Sequence, residues 1–316
     1  MINTQTNRQF IEAEQYSQFI LTNLEDGLLP DPIYRNVSDF GNGETLHIKS
    51  IGDAQIQYVE EERPITYTPI ESGEVLMRIT EYVGDGWYIT DKMREDGSQI
   101  EALQAARAKK ATRAIQEYFE TKAFETLNAA QTATDANAIN GFARRAVASG
   151  ANATVDIQDL IKMKLAFDKG EVPVGGRIAI VDPVFGATLD SKFNLTYNVN
   201  QNPMFSALLA QGWDRDHKYY GEIMGWHIVS SNRLPKIASE TIGGTSVTNG
   251  VANLFLNIAD DQTKALMAAW RRMPKVEGER NKDMRRDEFV TTARWGFGVQ
   301  RVDTLGVLLT SATAIG

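Results

Sequence analysis

The stretch from residue 98 to residue 129 contains neither glycine nor proline and constrains most strongly what this chain can fold into. Its apolar residues recur every three or four positions, which is the period of an amphipathic helix. Ser98 can cap its start, because Glu101 follows three residues later in the capping-box pattern. At 1.5 Å per residue such a helix is about 45–50 Å long. Because helices of globular proteins average about 11–12 residues, we expect this one to act as a structural spine.

Alternating apolar patterns predict long strands on both sides of this helix. Between residues 44 and 91 apolar positions stand two apart and are separated by turn residues, which predicts an antiparallel ribbon. Residues 289–299 alternate strictly, with Trp295 and Phe297 on one face and Arg294 on the other, which predicts a long strand. We expect Trp295 and Phe297 to be core residues. A helix is expected near 260–270.

The middle of the chain predicts a compact α/β unit from about 145 to 240. Asp156 can cap a helix that ends at Gly170, with Val155 and Leu160 placed as a hydrophobic staple. Short buried strands are expected at 177–181 and 226–229. A stretch at 131–150 rich in Ala, Thr, Asn and Gly precedes the unit and indicates a linker.

The composition is that of a globular protein. The chain has 316 residues, of which 42% are hydrophobic and 23% charged, and its length suggests two domains. The absence of cysteine excludes disulfides, zinc fingers and thiol nucleophiles. No apolar run approaches the ~18 residues that cross a bilayer, and the first thirty residues contain no secretory signal, so we expect a soluble protein made in the cytoplasm.

Charge is distributed unevenly along the chain. The net charge is −8, which makes broad electrostatic binding of nucleic-acid phosphates a poor expectation. Residues 44–91 carry ten acidic and three basic residues, a net −7, whereas residues 271–301 carry nine basic and five acidic residues, a net +4. Opposite segments of this kind can complement each other across a subunit boundary. The candidate interface residues are Glu60, Glu61, Glu62, Arg271, Arg272, Arg285 and Arg286.

The densest polar cluster outside these segments is Asp214, Asp216 and His217, beside Trp213. It could ligate a hard cation or act as an acid/base pair, but the tip of a loop that makes polar contacts is the preferred interpretation. The basic cluster around Arg107 and Arg113 is interpreted as a solvated helix face, because Arg113 can pair with Glu117 four residues later. The histidines lack zinc-binding spacing and there is no P-loop, so no catalytic, cofactor or metal site is predicted.

Several segments follow one another in an order that is itself informative: 43–52, 65–66, 75–82, 87–91 before the Ala-rich helix, 173–183, 225–235 and 288–309. The order of these segments resembles that of the major capsid proteins of tailed bacteriophages. The resemblance covers most of the chain. The resemblance implies an α+β chain with the Hong Kong 97-like capsid fold. It implies an N-terminal arm at 1–43, an extended β loop at 44–85, a peripheral domain at 86–135 and 251–316 containing the long spine helix, and an inserted axial α/β domain at 136–250.

The resemblance also implies a function, contacts between copies of the chain and a location. Copies would form the pentamers and hexamers of an icosahedral shell that encloses packaged double-stranded DNA without sequence-specific binding, with no enzymatic step, cofactor or membrane. Each extended loop would lie across the peripheral domain of a neighbour, and the axial loop would contain Trp213, Asp214, Asp216 and His217. The implied location is the virion, and the host cytoplasm during assembly.

The expected partners are further copies of the chain, a separate scaffolding protein, a portal and a decoration protein. A separate scaffold is expected because the arm begins almost at residue 1. Covalent crosslinking through a loop lysine is not expected, because Lys49 near the base of the loop is the only lysine there. Two other functions stay open: an encapsulin-like compartment with protein cargo, and an α/β enzyme that uses Asp214, Asp216 and His217.

Overall fold

Two large β-sheets and one long helix that packs against both form the framework of the described part of the chain. The structure is a computed structural model, and it describes residues 33–37, 45–51, 58, 69, 72–97, 100–131, 138–139, 141–196 and 219–316. The helices are α1 (Asp91–Asp96), α2 (Ile100–Ala130), α3 (Ile157–Lys169) and α4 (Pro183–Thr196), with a 3₁₀ turn at Ala151–Ala153.

The predicted spine helix is confirmed as α2, a helix of 31 residues, although its expected cap, Ser98, lies outside the described residues. The predicted helix of the central unit is confirmed as α3. The backbone N–H of Asp156 donates to Oδ2 of Asp159 at 3.0 Å, and Val155 and Leu160 are buried in one cluster as a staple requires. Helix α3 ends at Gly170, as its sequence predicts.

The first sheet, here called the long sheet, contains the strands that alternate in the sequence. Its order is β1-β12-β13-β3-β2, and its neighbours are antiparallel except for β1 and β12. The three central strands have 16, 14 and 19 residues, so they extend well beyond the short strands at the sheet's edges. Its strands are β1 (Tyr34–Asn36), β2 (Thr45–Ile51), β3 (Ser72–Thr90), β12 (Leu266–Asn281) and β13 (Arg286–Val299).

The second sheet, here called the mixed sheet, has the order β6-β14-β11-β7-β9-β8, and β10 also pairs with β11. The predicted strands at 177–181 and 226–229 are confirmed as its parallel pair β7 and β9. A separate two-stranded hairpin joins β4 (Ala138–Ile139) to β5 (Phe142–Ala143). The strands of the mixed sheet are β6 (Arg145–Val147), β7 (Arg177–Val181), β8 (Tyr219–Ile223), β9 (Trp226–Ser230), β10 (Lys236–Ile242), β11 (Thr245–Asn257) and β14 (Leu305–Ser311).

Helix α2 contributes to the cores of both sheets. Ile115 and Phe119, in its middle, pack on the long sheet against Trp295. Phe124 and Leu127, one to two turns later, pack on the mixed sheet. The other face of the mixed sheet is covered by α3 and α4. Because one rigid helix contacts both sheets, it fixes where the long strands project from the rest of the subunit.

The expected helix at 260–270 is wrong, because β12 begins at Leu266 and the preceding residues form turns. Leu266 and Ala268 pack toward α2, whereas Met267 and Ala269 pack with Met77 in a cluster on the other face. A strand that is buried on both faces reads as a continuous apolar run, and periodicity does not distinguish such a run from a buried helix.

The predicted domain boundaries stay a prediction. Strand β3 runs through the expected boundary between residues 85 and 86. Strands β11 and β14, which fall mostly in the segment assigned to the peripheral domain, hydrogen-bond within the mixed sheet. Among the described residues, no helix is long and apolar enough to span a membrane.

Candidate subunit interface

The long sheet has one face that is covered by α2 and one that is not. On the covered face Trp295 and Ala293 pack against Phe119, whose ring centroid lies 5.4 Å from that of Trp295. Because successive side chains of a strand point to opposite faces, Arg294 lies on the opposite face. Tyr82 lies there for the same reason, since its neighbour Val83 packs toward α2. The opposite face is here called the open face.

Two of the candidate interface residues, Arg271 and Arg272, lie together on the open face. They border a concavity of about 670 Å³, here called the arginine groove, whose lining residues are Ile79, Thr80, Tyr82, Arg271, Arg272 and Arg294. Arg294 and Tyr82 were not among the predicted interface residues. The signal for Arg294 was present in the alternation of 289–299, but its neighbours in the groove come from strands far away in the sequence.

The other two candidates, Arg285 and Arg286, lie at the far end of the long sheet. Arg285 is in the turn between β12 and β13 with φ +50°, and Arg286 pairs in register with Asn281. Asn281 is nine positions beyond Arg272 along β12, which corresponds to about 30 Å of strand. The structure therefore separates the four arginines into two pairs.

The far end already contains its own counter-charges. Arg286 Nε lies 2.6 Å from Glu288 Oε1, and its guanidinium stacks 4.5 Å from the centre of the Tyr88 ring. The hydrogen bond from Arg286 lowers the pKa of Glu288. Arg280 Nη2 donates to Asp91 Oδ2 at 2.8 Å, and that bond is the main reason the pKa of Asp91 is lowered. A further ion pair joins Arg94 to Asp287.

The remaining predicted site residues lie outside the described residues: Glu60, Glu61, Glu62, Trp213, Asp214, Asp216 and His217. Within the described ranges there is no group of three or more His, Cys, Asp or Glu side chains that could hold a metal ion. The predicted pair Arg113–Glu117 on α2 is confirmed, with Nε 3.0 Å from Oε1. Trp295 is fully buried, as predicted for a core residue.

Comparison with known proteins gives a family for this arrangement. A family model described as "Phage capsid protein" matches residues 73–310, three quarters of the chain. The chain belongs to the phage capsid protein family. No curated protein matches the capsid chain.

Solved capsids share the fold of this capsid chain. The capsid protein of the cyanophage P-SCSP1u superposes with a TM-score of 0.69 at 18% identity, over 97% of this chain and 94% of that one. The protein of the mature capsid of bacteriophage PhiM1 superposes with a TM-score of 0.63 at 13% identity, over 95% of this chain and 93% of that one. The protein from Mycobacterium phage Adephagia superposes with a TM-score of 0.62 at 13% identity, over 100% of this chain and 99% of that one. The predicted α+β, Hong Kong 97-like fold is confirmed, and the family supports a structural role as a capsid shell protein.

Proposed function

We propose that the protein is the major capsid protein of a tailed bacteriophage, whose copies form the pentamers and hexamers of an icosahedral shell around packaged double-stranded DNA. The observation that carries the proposal is the family match over residues 73–310 on a chain that superposes almost end to end with solved phage capsid proteins. The protein performs no enzymatic step and needs no cofactor.

The open face of the long sheet supports assembly with other copies. Tyr82 is 66% exposed, and Tyr88 and Val290 on the same two neighbouring strands are also exposed. Monomeric soluble proteins rarely present apolar side chains in such concentration, and exposed patches of this kind mark interaction sites. A neighbouring subunit would remove these side chains from water.

Charge supports the same assembly. The acidic run Glu60–Glu62 belongs to the segment of net −7, and the arginines belong to the segment of net +4. Complementary patches guide association and fix its register, while like-charged surfaces are kept apart. We propose that these segments meet between neighbouring subunits, with the acidic run on one and the basic long strands on the other.

The net charge of −8 also supports a container rather than a DNA-binding lattice. Tight phosphate binding requires clustered cations, and its strength falls steeply with salt. A shell of this charge holds DNA by confinement, and DNA would enter and leave without breaking specific contacts. The proposed partners are a scaffolding protein, a portal and a decoration protein. The proposed locations are the virion and, during assembly, the host cytoplasm.

Electron microscopy of the expressed protein, alone and with the candidate scaffold, tests the proposal. We expect closed shells in which five- and six-fold clusters of subunits are resolved. Particles purified from infected cells should contain DNA that is protected from nuclease. Protein cargo in place of DNA would favour an encapsulin-like compartment, and a chain that stays monomeric at every concentration, with and without scaffold, would contradict a shell function.

A further inference from the structure

One of the links between the two sheets is the segment 300–304, here called the sheet connection. Strand β13 of the long sheet ends at Val299, and strand β14 of the mixed sheet begins at Leu305. Gln131, the buried residue that directly follows α2, holds this segment in place. Its Nε2 donates to the carbonyls of Val302 at 2.9 Å and of Leu305 at 2.7 Å. The end of α2 therefore fixes the position of the sheet connection.

Beside the sheet connection lies a buried cation without a counter-charge. Arg144 is 1% exposed, and its three guanidinium nitrogens have no hydrogen-bond partner among the described residues. Its backbone carbonyl accepts from the N–H of Val307 at 2.8 Å, so Arg144 lies beside the start of β14. The Phe167 ring, whose centre is 4.5 Å from Arg144 Cζ, offsets only part of the cost of burying the charge. The site therefore favours a carboxylate that can reach it.

Asp303 in the sheet connection is the carboxylate in position to do so. It is exposed, and it precedes Val307, the residue that bonds to Arg144, by four positions. Burial lowers the pKa of Arg144, and the negative charge of Asp303 acts in the opposite direction, so the two groups already interact through space. Asp168, which follows Phe167 in α3, is held elsewhere, because its Oδ1 lies 2.6 Å from Arg177 Nη2.

Two further buried polar atoms at the sheet connection lack partners within the described ranges: Thr304 Oγ1 and Gln131 Oε1. Native proteins leave only a few such atoms, and each requires a physical reason. Unsatisfied groups of Arg144, Thr304 and Gln131 thus border the same short segment. A different arrangement of that segment would satisfy more of them.

We propose that the sheet connection has two positions and that Gln131 selects between them. In the observed position Gln131 holds the carbonyl of Val302 while Asp303 remains in water. In the second position that hydrogen bond is broken, the connection turns inward, and the Asp303 carboxylate accepts charge-assisted hydrogen bonds from the Arg144 guanidinium. Because Gln131 directly follows α2, a displacement of that helix would switch the connection and with it the placement of the two sheets. The device does not depend on the proposed shell function.

The two positions exchange comparable interactions. The observed position keeps both hydrogen bonds of Gln131 and the hydration of Asp303. The second position pairs a buried cation, but it takes a carboxylate out of water, and these two effects oppose each other. A change at Gln131 alone is therefore sufficient to shift the equilibrium.

A double-mutant cycle in two backgrounds tests the device. Urea unfolding of the unassembled full chain gives the coupling between Arg144→Met and Asp303→Asn. In the otherwise unmodified chain this coupling should change the unfolding equilibrium constant by less than about twofold, because the pair is not formed. With Gln131→Leu, which removes the donor to Val302, the coupling should rise to about tenfold.

The matched control is Gln300→Leu, the same substitution within the sheet connection. Gln300 Nε2 donates to the carbonyl of Gln262 and does not hold Val302. In the Gln300→Leu chain the coupling between Arg144→Met and Asp303→Asn should therefore stay below about twofold.

A second test keeps Gln131 in place, in case the Gln131→Leu chain does not fold. Asp303→Glu lengthens the side chain by one methylene, so its carboxylate reaches Arg144 with a smaller movement of the backbone. This variant should shift the unfolding equilibrium toward the folded state by about threefold, and the gain should vanish when Arg144→Met is added.

Three outcomes would overturn the proposal. A coupling below about twofold in the Gln131→Leu chain would show that Asp303 does not reach Arg144 when the connection is released. A coupling of about tenfold in the unmodified chain would mean a single position in which the pair is already formed. A gain from Asp303→Glu that persists without Arg144 would show that the longer side chain acts elsewhere. Success or failure of shell assembly bears only on the proposed function, because every measurement here uses the unassembled chain.

Discussion

Arg144 and Arg145 are consecutive, both buried, and differ completely in their hydrogen bonding. Arg145 Nε and Nη2 donate to the two carboxylate oxygens of Glu240 at 2.7 and 2.6 Å. Its Nη1 donates to Asn128 Oδ1 at 2.8 Å and to the carbonyl of Gln131 at 3.1 Å. By contrast, none of the three guanidinium nitrogens of Arg144 has a hydrogen-bond partner within the part of the chain that the structure describes. Replacing Arg145 by methionine should therefore destabilise the fold, whereas replacing Arg144 by methionine should not.

The loss at Arg145 follows from what the substitution leaves behind. Methionine preserves the apolar stem but strands the Glu240 carboxylate, whose side chain is only 19% exposed, and removes donors at the end of α2. Breaking a buried ion pair by removing one partner costs about 3–5 kcal/mol. Glu240 keeps some contact with water, so we expect a decrease of about 3 kcal/mol in the free energy of unfolding, at the lower end of that range.

The gain at Arg144 follows from burial. Desolvation lowers the pKa of Arg144 to about 10. Set against the usual value of about 12.5, this is about 3 kcal/mol of unfavourable free energy for the charged form. Its guanidinium stacks 4.5 Å from the centre of the Phe167 ring, an interaction that returns about 1–2 kcal/mol. Methionine removes both contributions, so the free energy of unfolding should stay the same or rise by about 1–2 kcal/mol.

Urea unfolding of the full chain, followed by circular dichroism below the assembly concentration, measures both variants. The lowered pKa of Arg144 is still far above neutral, so the burial penalty is constant from pH 6 to pH 8 and the choice of buffer does not affect the comparison. A loss of 2 kcal/mol or more for Arg144→Met would refute the reasoning, because it would mean that the buried guanidinium is compensated by a partner.

Two further predictions concern the long sheet. Arg280→Met removes the hydrogen bond that lowers the pKa of Asp91. That bond stabilises the fold above the carboxyl's unfolded pKa of about 3.9 and is lost as pH falls through the lower folded value, so the stability difference between variant and unmodified chain should shrink on acidification toward pH 2. Gly296→Ala places a Cβ against the backbone carbonyl of Arg78 and should lower the free energy of unfolding by about 2–3 kcal/mol, measured by thermal unfolding. Its control is Gly175→Ala, where the described residues leave open space around the new Cβ, and the free energy of unfolding should change by under about 0.5 kcal/mol.

Local periodicity is sufficient to predict an element when one of its faces is buried and the other is exposed to solvent. It predicts α2 within two residues at each end, and it predicts the capped helix α3 together with its staple and its stop at Gly170. In both helices the hydrophobic pattern and the burial agree, and in α3 the cap agrees as well, so the sequence contains a redundant signal. The strict alternation at 289–299 likewise predicts β13 and places Trp295 in the core.

The features that make the groove were not predictable from the sequence, because they depend on register. That Arg272 faces Arg294 is decided by where two bulges fall in β12. Bulges change which residues share a face without leaving a distinctive composition. The same limit applies to β12 itself, whose first four residues are buried and were predicted as helix. The unsatisfied guanidinium of Arg144 is likewise invisible in a sequence that shows only two adjacent arginines.

Register also changes the meaning of the net +4 carried by residues 271–301. The sum counts every arginine of the segment as equally available to a neighbouring subunit. The structure sorts the charges: at the far end Arg286 and Arg280 are held by carboxylates of the same chain, and nearer the groove Arg272 is paired with Glu277. Charges held within the subunit contribute little further to association, because a new partner must first displace an existing one. The sum of +4 therefore overstates the charge that these strands offer to a neighbouring subunit, because part of it is already paired within the chain.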